Sequence, residues 1–506
     1  MAITRTFLEF RKTWLSVGDK ANDVLVGDGV VDEGPSKGEW HTKDEMRGGS
    51  GDDHFDGEFG NNIMFGERGA DTFEIANAGT GGSWDRAYGG AGRDTFLAFE
   101  YTPMDGRVHL ANGGGRFDTM EFQYAVTTGE DGPVVVRNEK VFLNGTVTIR
   151  LKSIEKLVAS VDDDSIRASG AIVHAEGGKG DDTLVANPDK GTTLIGGFGS
   201  DTLKGRSKND TLFDQEEITS ERPEYIDPGR DTLNGGNGQD LLLSYSGNDT
   251  LLGGDGDDTL VSLGGTDVLK GGNGSDRFEF SYLGISGDVI ATLIQRSFGT
   301  LEGLHIDGGA DGLHGDHVIF SGLQVGHGAS TELGLVINLA RGTGEEHTSL
   351  DGPGRFRIKD VEDVTGSSLA DRLTGSSEGN TLRGGYGNDI LKGGAGRDIL
   401  IGGKGRDQLF GGNGDDILRA SDDGDILTGG YGRDSFKFFD VDTGTMTVTD
   451  FEIANDWIML DAPGFKSLSF ADSAAGAVVT MTGSDLKIVL EGISAADLTA
   501  PDFVFL

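Results

Sequence analysis

Residues 366–437 read GSSLADRLT, GSSEGNTLR, GGYGNDILK, GGAGRDILI, GGKGRDQLF, GGNGDDILR, ASDDGDILT, GGYGRDSFK, eight units of nine residues without a gap. Their sixth position holds Asp371, Asn380, Asp389, Asp398, Asp407, Asp416, Asp425 and Asp434. Their eighth holds Leu373, Leu382, Leu391, Leu400, Leu409, Leu418, Leu427 and Phe436. An apolar residue recurring at nine cannot line a helix, whose faces repeat at three and four, and Gly is among the poorest helix formers. The unit reads as a six-residue turn followed by a three-residue strand whose middle side chain points inward. Two units make one 18-residue coil with a strand on each side. Stacked coils give two parallel sheets facing each other across a ladder of Leu and Phe, so the predicted fold is all-β, a parallel β-roll or β-solenoid.

Working outward, the same register runs from 228 to 279, with Asp231, Asp240, Asp249, Asp258, Asp267 and Asp276 in the sixth position. Shorter runs surround Asp53 and Asp71, Asp94 in GGAGRDTFL, and Asp182 and Asp201 in GGKGDDTLV and GGFGSDTLK. Coils stack at the strand spacing of about 4.8 Å, so each turn lies against the turn one coil later. This predicts facing pairs 231/249, 240/258, 249/267, 258/276, 371/389, 389/407, 407/425, 398/416 and 416/434. Carboxylates stacked so closely repel unless a cation lies between them. Carboxylate and carbonyl oxygens are hard ligands, which suit Ca²⁺ better than zinc or copper.

The motifs GGYGND, GGAGRD, GGKGRD and GGNGDD resemble the repeats-in-toxin (RTX, haemolysin-type) calcium-binding nonapeptide. The resemblance implies that the sixth carboxylate and backbone carbonyls of the glycine turn bind Ca²⁺. On that basis the expected metal ligands are Asp53, Asp71, Asp94, Asp182, Asp201, Asp231, Asp240, Asp249, Asp258, Asp267, Asp276, Asp371, Asp389, Asp398, Asp407, Asp416, Asp425 and Asp434. Asn62 and Asn380 depart from the acidic position, Arg116 from the fourth glycine, and SLGGTDVLK from the first two glycines.

Composition agrees with cation binding. The 506 residues include 87 Gly, well over twice the ordinary share of about 7%. With 43 Lys and Arg against 84 Asp and Glu, the formal charge is −41, which disfavours nucleic acid and anionic lipid surfaces as partners. There is no Cys, so disulfides and thiolate metal sites are excluded. No apolar stretch approaches the length needed to span a bilayer. The opening MAITRTFLEFRKTWLSVGDK lacks an unbroken apolar region and does not read as a Sec signal peptide.

The chain divides into an N-terminal segment with degenerate repeats (1–97), a β-rich spacer (98–176), a repeat block (177–279), a second spacer (280–365), the main repeat block (366–437) and a β-rich C-terminal cap (438–506). The spacers read as extra strands continuing the solenoid, since Val147, Ile149 and Leu151 alternate. Neither HExxH nor GxSxG occurs, and no catalytic residue is assigned. His305, His314, Asp316 and His317 read as a stretched repeat with His in turn positions. Arg355, Arg357, Lys359, Asp360 and Asp363 imitate a solenoid enzyme face. The ending LTAPDFVFL, an acidic residue before a short apolar terminus, resembles a type I (ABC transporter) secretion signal. The expectation is a secreted, extracellular or cell-surface Ca²⁺-binding protein exported by type I machinery, with a cell-surface or polysaccharide partner. The alternatives are a polysaccharide-acting enzyme (lyase, epimerase or glycanase) and an adhesin or surface-layer scaffold.

Overall fold

The structure, a computed structural model, describes residues 4–8, 13–17, 24–26, 43–56, 62–75, 85–98, 109–115, 117–122, 135–143, 146–215, 227–280, 304–311, 315–320, 333–346, 354–421, 424–439, 443–462 and 464–506. Among these residues it is nearly all β, interrupted by three short 3-10 turns at Leu339–Arg341, Phe465–Ser467 and Ala500–Asp502. None of its helical turns is long and apolar enough to cross a membrane. Two compact units divide the chain. One comprises Met1–Glu217 with Tyr225–Tyr245, the other Ile218–Glu224 with Ser246–Leu506.

In the second unit the repeats stack in parallel, alternate units feeding two ladders. Arg372, Ile390, Gln408 and Ile426 pair in one, and Thr381, Ile399, Ile417 and Ser435 in the other. Between the ladders Leu382, Leu391, Leu400, Leu409, Leu418, Leu427 and Phe436 are fully buried. The first unit is built the same way, and Phe55, Phe73 and Phe96 stack one per coil with ring centroids 4.7 and 4.9 Å apart. That interval is the strand spacing, so each coil contributes one ring to a continuous aromatic column.

The strands are longer than the three residues read from the period. Thr381–Tyr386, Ile390–Ala395, Ile399–Lys404 and Gln408–Asn413 each span six. Pairing continues through the glycines because Gly385 aligns with Gly403 and Gly394 with Gly412, where no side chain interrupts the approach.

Both spacers carry one ladder straight through and expand the other. In the first, Thr119–Phe122 pairs in parallel with Thr95–Ala98 and Lys156–Val158. The opposite ladder inserts Val135–Arg137 and Lys140–Leu143 as antiparallel strands beside Thr146–Lys152. In the second, His317–Ile319 continues one ladder between Arg277–Glu279 and Asp363–Thr365, while Leu333–Asn338, Thr343–Glu346 and Gly354–Lys359 form an antiparallel insert. The C-terminal region repeats the device with the meander Leu468–Asp472, Gly476–Met481 and Leu486–Glu491. There Phe503–Phe505 pairs with Trp457–Leu460, and Asp502 is buried, accepting from Thr499 N–H at 2.7 Å.

Candidate metal centre

Among the described residues most turns are held to the next by one recurring bond, with Glu155 and Glu362 taking the acceptor's place for Asp118 and Asp316. The backbone N–H of the sixth-position aspartate donates to Oδ1 of its counterpart one coil on: Asp371 to Asp389 at 2.7 Å, Asp389 to Asp407 at 2.9 Å, Asp407 to Asp425 at 2.8 Å, Asp398 to Asp416 at 2.8 Å and Asp416 to Asp434 at 2.9 Å. Asp249 to Asp267 and Asp258 to Asp276 follow the same pattern. The paired aspartates therefore do not face each other carboxylate to carboxylate, as expected from the sequence. One oxygen of each is occupied by its neighbour's amide, and only the second is left for other chemistry.

The same ladder passes over insertions. Asp53 donates to Asp71, Asp71 to Asp94, and Asp94 to Asp118, although the last two steps span 23 and 24 residues. It continues from Asp164 to Asp182, then to Asp201 and Asp231, from Asp210 to Asp240, from Asp276 to Asp316 across 40 residues, and from Asp434 to Asp456. Asp118, Asp164, Asp210 and Asp456 were not singled out from the sequence, and Asp316 was named only within the histidine cluster read as a stretched repeat. GGGRFD and GRSKND carry the acidic sixth position, which is the signal that could have found Asp118 and Asp210. Asp316 follows a three-residue insertion, and FEIAND before Trp457 has no glycine at all, with Ala454 at φ 64°.

The remaining oxygen, Oδ2, divides the turns into two kinds. In open turns it is buried and accepts no hydrogen bond: Asp71, Asp94, Asp182, Asp201, Asp276, Asp389, Asp398 and Asp416. Each points at the first glycine of its own turn. A Cβ added at Gly384 would sit 2.2 Å from Oδ2 of Asp389 and 2.5 Å from the Gly402 carbonyl oxygen of the next coil. Gly393 and Gly411 repeat this arrangement with Asp398 and Asp416. The glycine is required here for space, and its absent side chain leaves two acceptor oxygens from adjoining coils converging. The second glycine has another role: Gly385 and Gly394 have φ of 111° and 115°, a region L residues avoid.

In closed turns a donor already satisfies Oδ2. Ser367 N–H donates to Asp371 at 2.6 Å, Ser421 N–H to Asp425 at 3.1 Å, Ser160 N–H to Asp164, Arg206 N–H to Asp210 and Glu452 N–H to Asp456. In Asp267 the donor is the Ser262 hydroxyl at 2.6 Å. Each backbone donor occupies the second position, and none of these residues is glycine. Three expected ligands, Asp267, Asp371 and Asp425, thus lie in closed turns. Asn380 shows the neutral solution, its Oδ1 accepting from Ser376 N–H and its Nδ2 donating to the Glu362 carbonyl at 2.9 Å.

Burial raises the open carboxyls above the ordinary range. Asp389 is pushed up from 3.8 to about 8 and Asp182 to about 9, chiefly by burial, with the adjacent aspartates adding repulsion. Asp94 and Asp201 reach about 7, and Asp71, Asp276 and Asp398 about 6, for the same main reason. A column of buried, unpartnered anionic oxygens beside carbonyls calls for a hard cation with many oxygen ligands, and the residues present fit Ca²⁺.

The other clusters come apart. Asp316 is fully buried in a repeat turn, while His305 and His317 lie on strands rather than in turns; His314 lies outside the described residues. His317 meets Thr365 Oγ1 at 2.9 Å, and burial, with Arg383 and Arg277 nearby, lowers its pKa to about 4. Arg355 pairs with Glu345 and Lys359 with Asp307 and Asp360 on one ladder, whereas Asp363 stands on the other and accepts from Thr381 N–H.

A family model for the RTX calcium-binding nonapeptide repeat matches residues 42–73, 80–98, 158–192, 193–215, 227–251, 243–278, 365–400, 374–409 and 410–436. No curated protein matches the chain. Among solved structures, a subunit of the mannuronan C5-epimerase from Azotobacter vinelandii is 28% identical over 27% of this chain and 80% of that one, with a TM-score of 0.20. The nonapeptide match falls on most of the turns whose aspartates form the ladder, and the chain carries RTX calcium-binding repeats.

Proposed function

We propose that this calcium-binding β-roll is a folding switch: a secreted protein whose open turns take up extracellular Ca²⁺ and whose repeats order as they do so. The observation that carries the reading is the set of buried Oδ2 atoms without a hydrogen-bond partner, each converging with a carbonyl of the next coil on a glycine. Asp71, Asp94, Asp182, Asp201, Asp276, Asp389, Asp398 and Asp416 hold the ion by these oxygens, joined by the first-position carbonyl of the next coil, which is a glycine's except beside Asp201, where it is that of Asp214. Bound Ca²⁺ supplies the positive charge that lets these carboxylates stay ionised away from water. The protein's own part is to fix Oδ1 by the amide of the preceding coil and to keep the first turn position free of a side chain.

Without the ion, burying several carboxylates while ordering Gly-rich turns opposes folding. A Ca²⁺ concentration about 10⁴-fold lower inside a cell than outside is worth roughly 5.5 kcal/mol per site by mass action. The chain would stay extended for export by a type I system and fold outside. Equilibrium dialysis against Ca²⁺ tests the assignment: Asp398→Asn, in an open turn, is expected to lower the bound ion count, and Asp371→Asn, in a closed one, to leave it unchanged. Equal loss in both would overturn the division, and no uptake by the unaltered protein would overturn the function.

A further inference from the structure

In a chain of charge −41, five successive strands on one face of the second unit present no acid outward. Parallel pairing sets Arg383, Ile401, Arg419, Lys437 and Met459 in one outward file of strands Thr381–Tyr386, Ile399–Lys404, Ile417–Arg419, Ser435–Phe438 and Trp457–Leu460. Thr381, Ile399, Ile417, Ser435 and Trp457 form the file beside it. Neither contains Asp or Glu. The three cations run along the stacking direction, separated by one or two strand spacings of about 4.8 Å.

Their charge is only partly matched among the described residues, where Asp363 lies near Arg383. Nη1 of Arg383 and Nε of Arg419 are buried and make no hydrogen bond. Asp363, one coil before Thr381, has its carboxyl raised by burial even though the Arg383 charge favours its ionised form. Arg419 and Lys437 are direct neighbours in the file, and both lie over the Phe439 ring, 4.4 and 5.1 Å from its centroid. Like charges opposite each other on adjacent strands are unfavourable unless an anion lies between them. Ile399 beside them is 37% exposed.

We propose that this face binds a linear, carboxylate-bearing polysaccharide laid along the roll axis. Arg383, Arg419 and Lys437 pair with its carboxylates, and Ile399, Ile401 and Trp457 lie against the sugar rings. A single extended polymer matches a file of cations one residue wide. A planar anionic bilayer cannot follow a file one residue wide and would bring its charge against the acidic surface on either side of it.

The proposal goes beyond calcium binding but needs the folded roll, so the full chain is tested in saturating Ca²⁺, with folding read separately by circular dichroism. The probes are a linear oligogalacturonate, neutral dextran, and vesicles of phosphatidylserine and phosphatidylcholine. Binding to oligogalacturonate is expected, and Arg383→Gln/Arg419→Gln/Lys437→Gln should weaken it at least about tenfold. Arg372→Gln/Lys392→Gln, on the opposite ladder, should change it less than about twofold. An unaltered affinity in the triple variant, equal losses in both variants, dextran binding of equal strength, or binding to vesicles instead would overturn the proposal. If the triple variant loses its Ca²⁺-induced β signal, Arg383→Gln and Lys437→Gln singly decide by the same readout.

Discussion

Replacing Asp389 by Asn separates the two demands that an open turn makes on its carboxylate. In the protein Oδ1 accepts the Asp371 amide at 2.7 Å, while Oδ2 is buried without a partner. Burial raises this carboxyl from 3.8 to about 8. Each pKa unit is about 1.4 kcal/mol, so keeping Asp389 ionised in the metal-free roll opposes folding by on the order of 5 kcal/mol above pH 8. The sign follows from proton uptake. The folded state holds the proton more tightly, so the metal-free roll is favoured at low pH and loses that advantage as pH rises from about 4 to about 8. Asn keeps an oxygen that can accept the Asp371 amide and cannot ionise; Asn380 already fills a sixth position without charge, its Oδ1 accepting from Ser376 N–H of its own turn and its Nδ2 donating to the Glu362 carbonyl of the preceding coil. In chelator, we expect Asp389→Asn to gain β-structure at a higher pH than the unaltered chain in a circular dichroism titration from pH 9 to pH 4. In Ca²⁺ titrations at pH 7.5 the same variant should need more Ca²⁺, because one charged ligand is gone. An unchanged pH midpoint in chelator, or an unchanged Ca²⁺ midpoint, would refute the reasoning.

Other outcomes follow from the same geometry. Gly384→Ala would drive a methyl group into Oδ2 of Asp389 and the Gly402 carbonyl, and we expect a loss of at least about 2 kcal/mol in Ca²⁺-saturated denaturant melts; a change under about 0.5 kcal/mol would show that the cradle is not filled. Asp416→Asn should raise the Ca²⁺ midpoint, whereas Asp425→Asn should lower stability without moving it, because Ser421 N–H already occupies Oδ2; matching midpoint shifts in calorimetric titrations would contradict this. Removing the last 60 or so residues takes away the meander and Phe503–Phe505, which pairs with Trp457–Leu460, together with the secretion-like ending; export assays should find the truncated chain retained in the cell, and its efficient release would exclude the type I reading.

The period of nine made the coil legible because it acts at three levels at once. The glycines set the turn, the eighth residue fills the core, and the sixth supplies the carboxylate. The hydrogen-bond ladder was hidden, since a repeat of aspartates does not reveal that the amide of Asp389 takes Oδ1 of Asp407. The division into open and closed turns was likewise missed, although in the main block its signal is a single letter: Ser367 and Ser421 stand where Gly385 and Gly394 stand in open turns, while Glu67 in the open turn of Asp71 and Ser262 at the first position beside Asp267 depart from it. The antiparallel inserts were read only as strands, because alternation in Thr146–Lys152 shows a strand without naming its partners. The acid-free file required the register, which places Arg383, Arg419 and Lys437 together although 18 residues or more separate them in sequence.

The most direct measurement is a Ca²⁺ titration of the chelated full chain at pH 7.5, followed by circular dichroism with Mg²⁺ as the comparison ion. Burial of ionised carboxylates without a cation predicts a largely disordered repeat region at the start and a cooperative gain of β-structure in millimolar Ca²⁺. Mg²⁺, which dehydrates reluctantly and demands octahedral geometry, should not produce it. A chain already folded in chelator at that pH, or one that folds equally in Mg²⁺, would contradict the account.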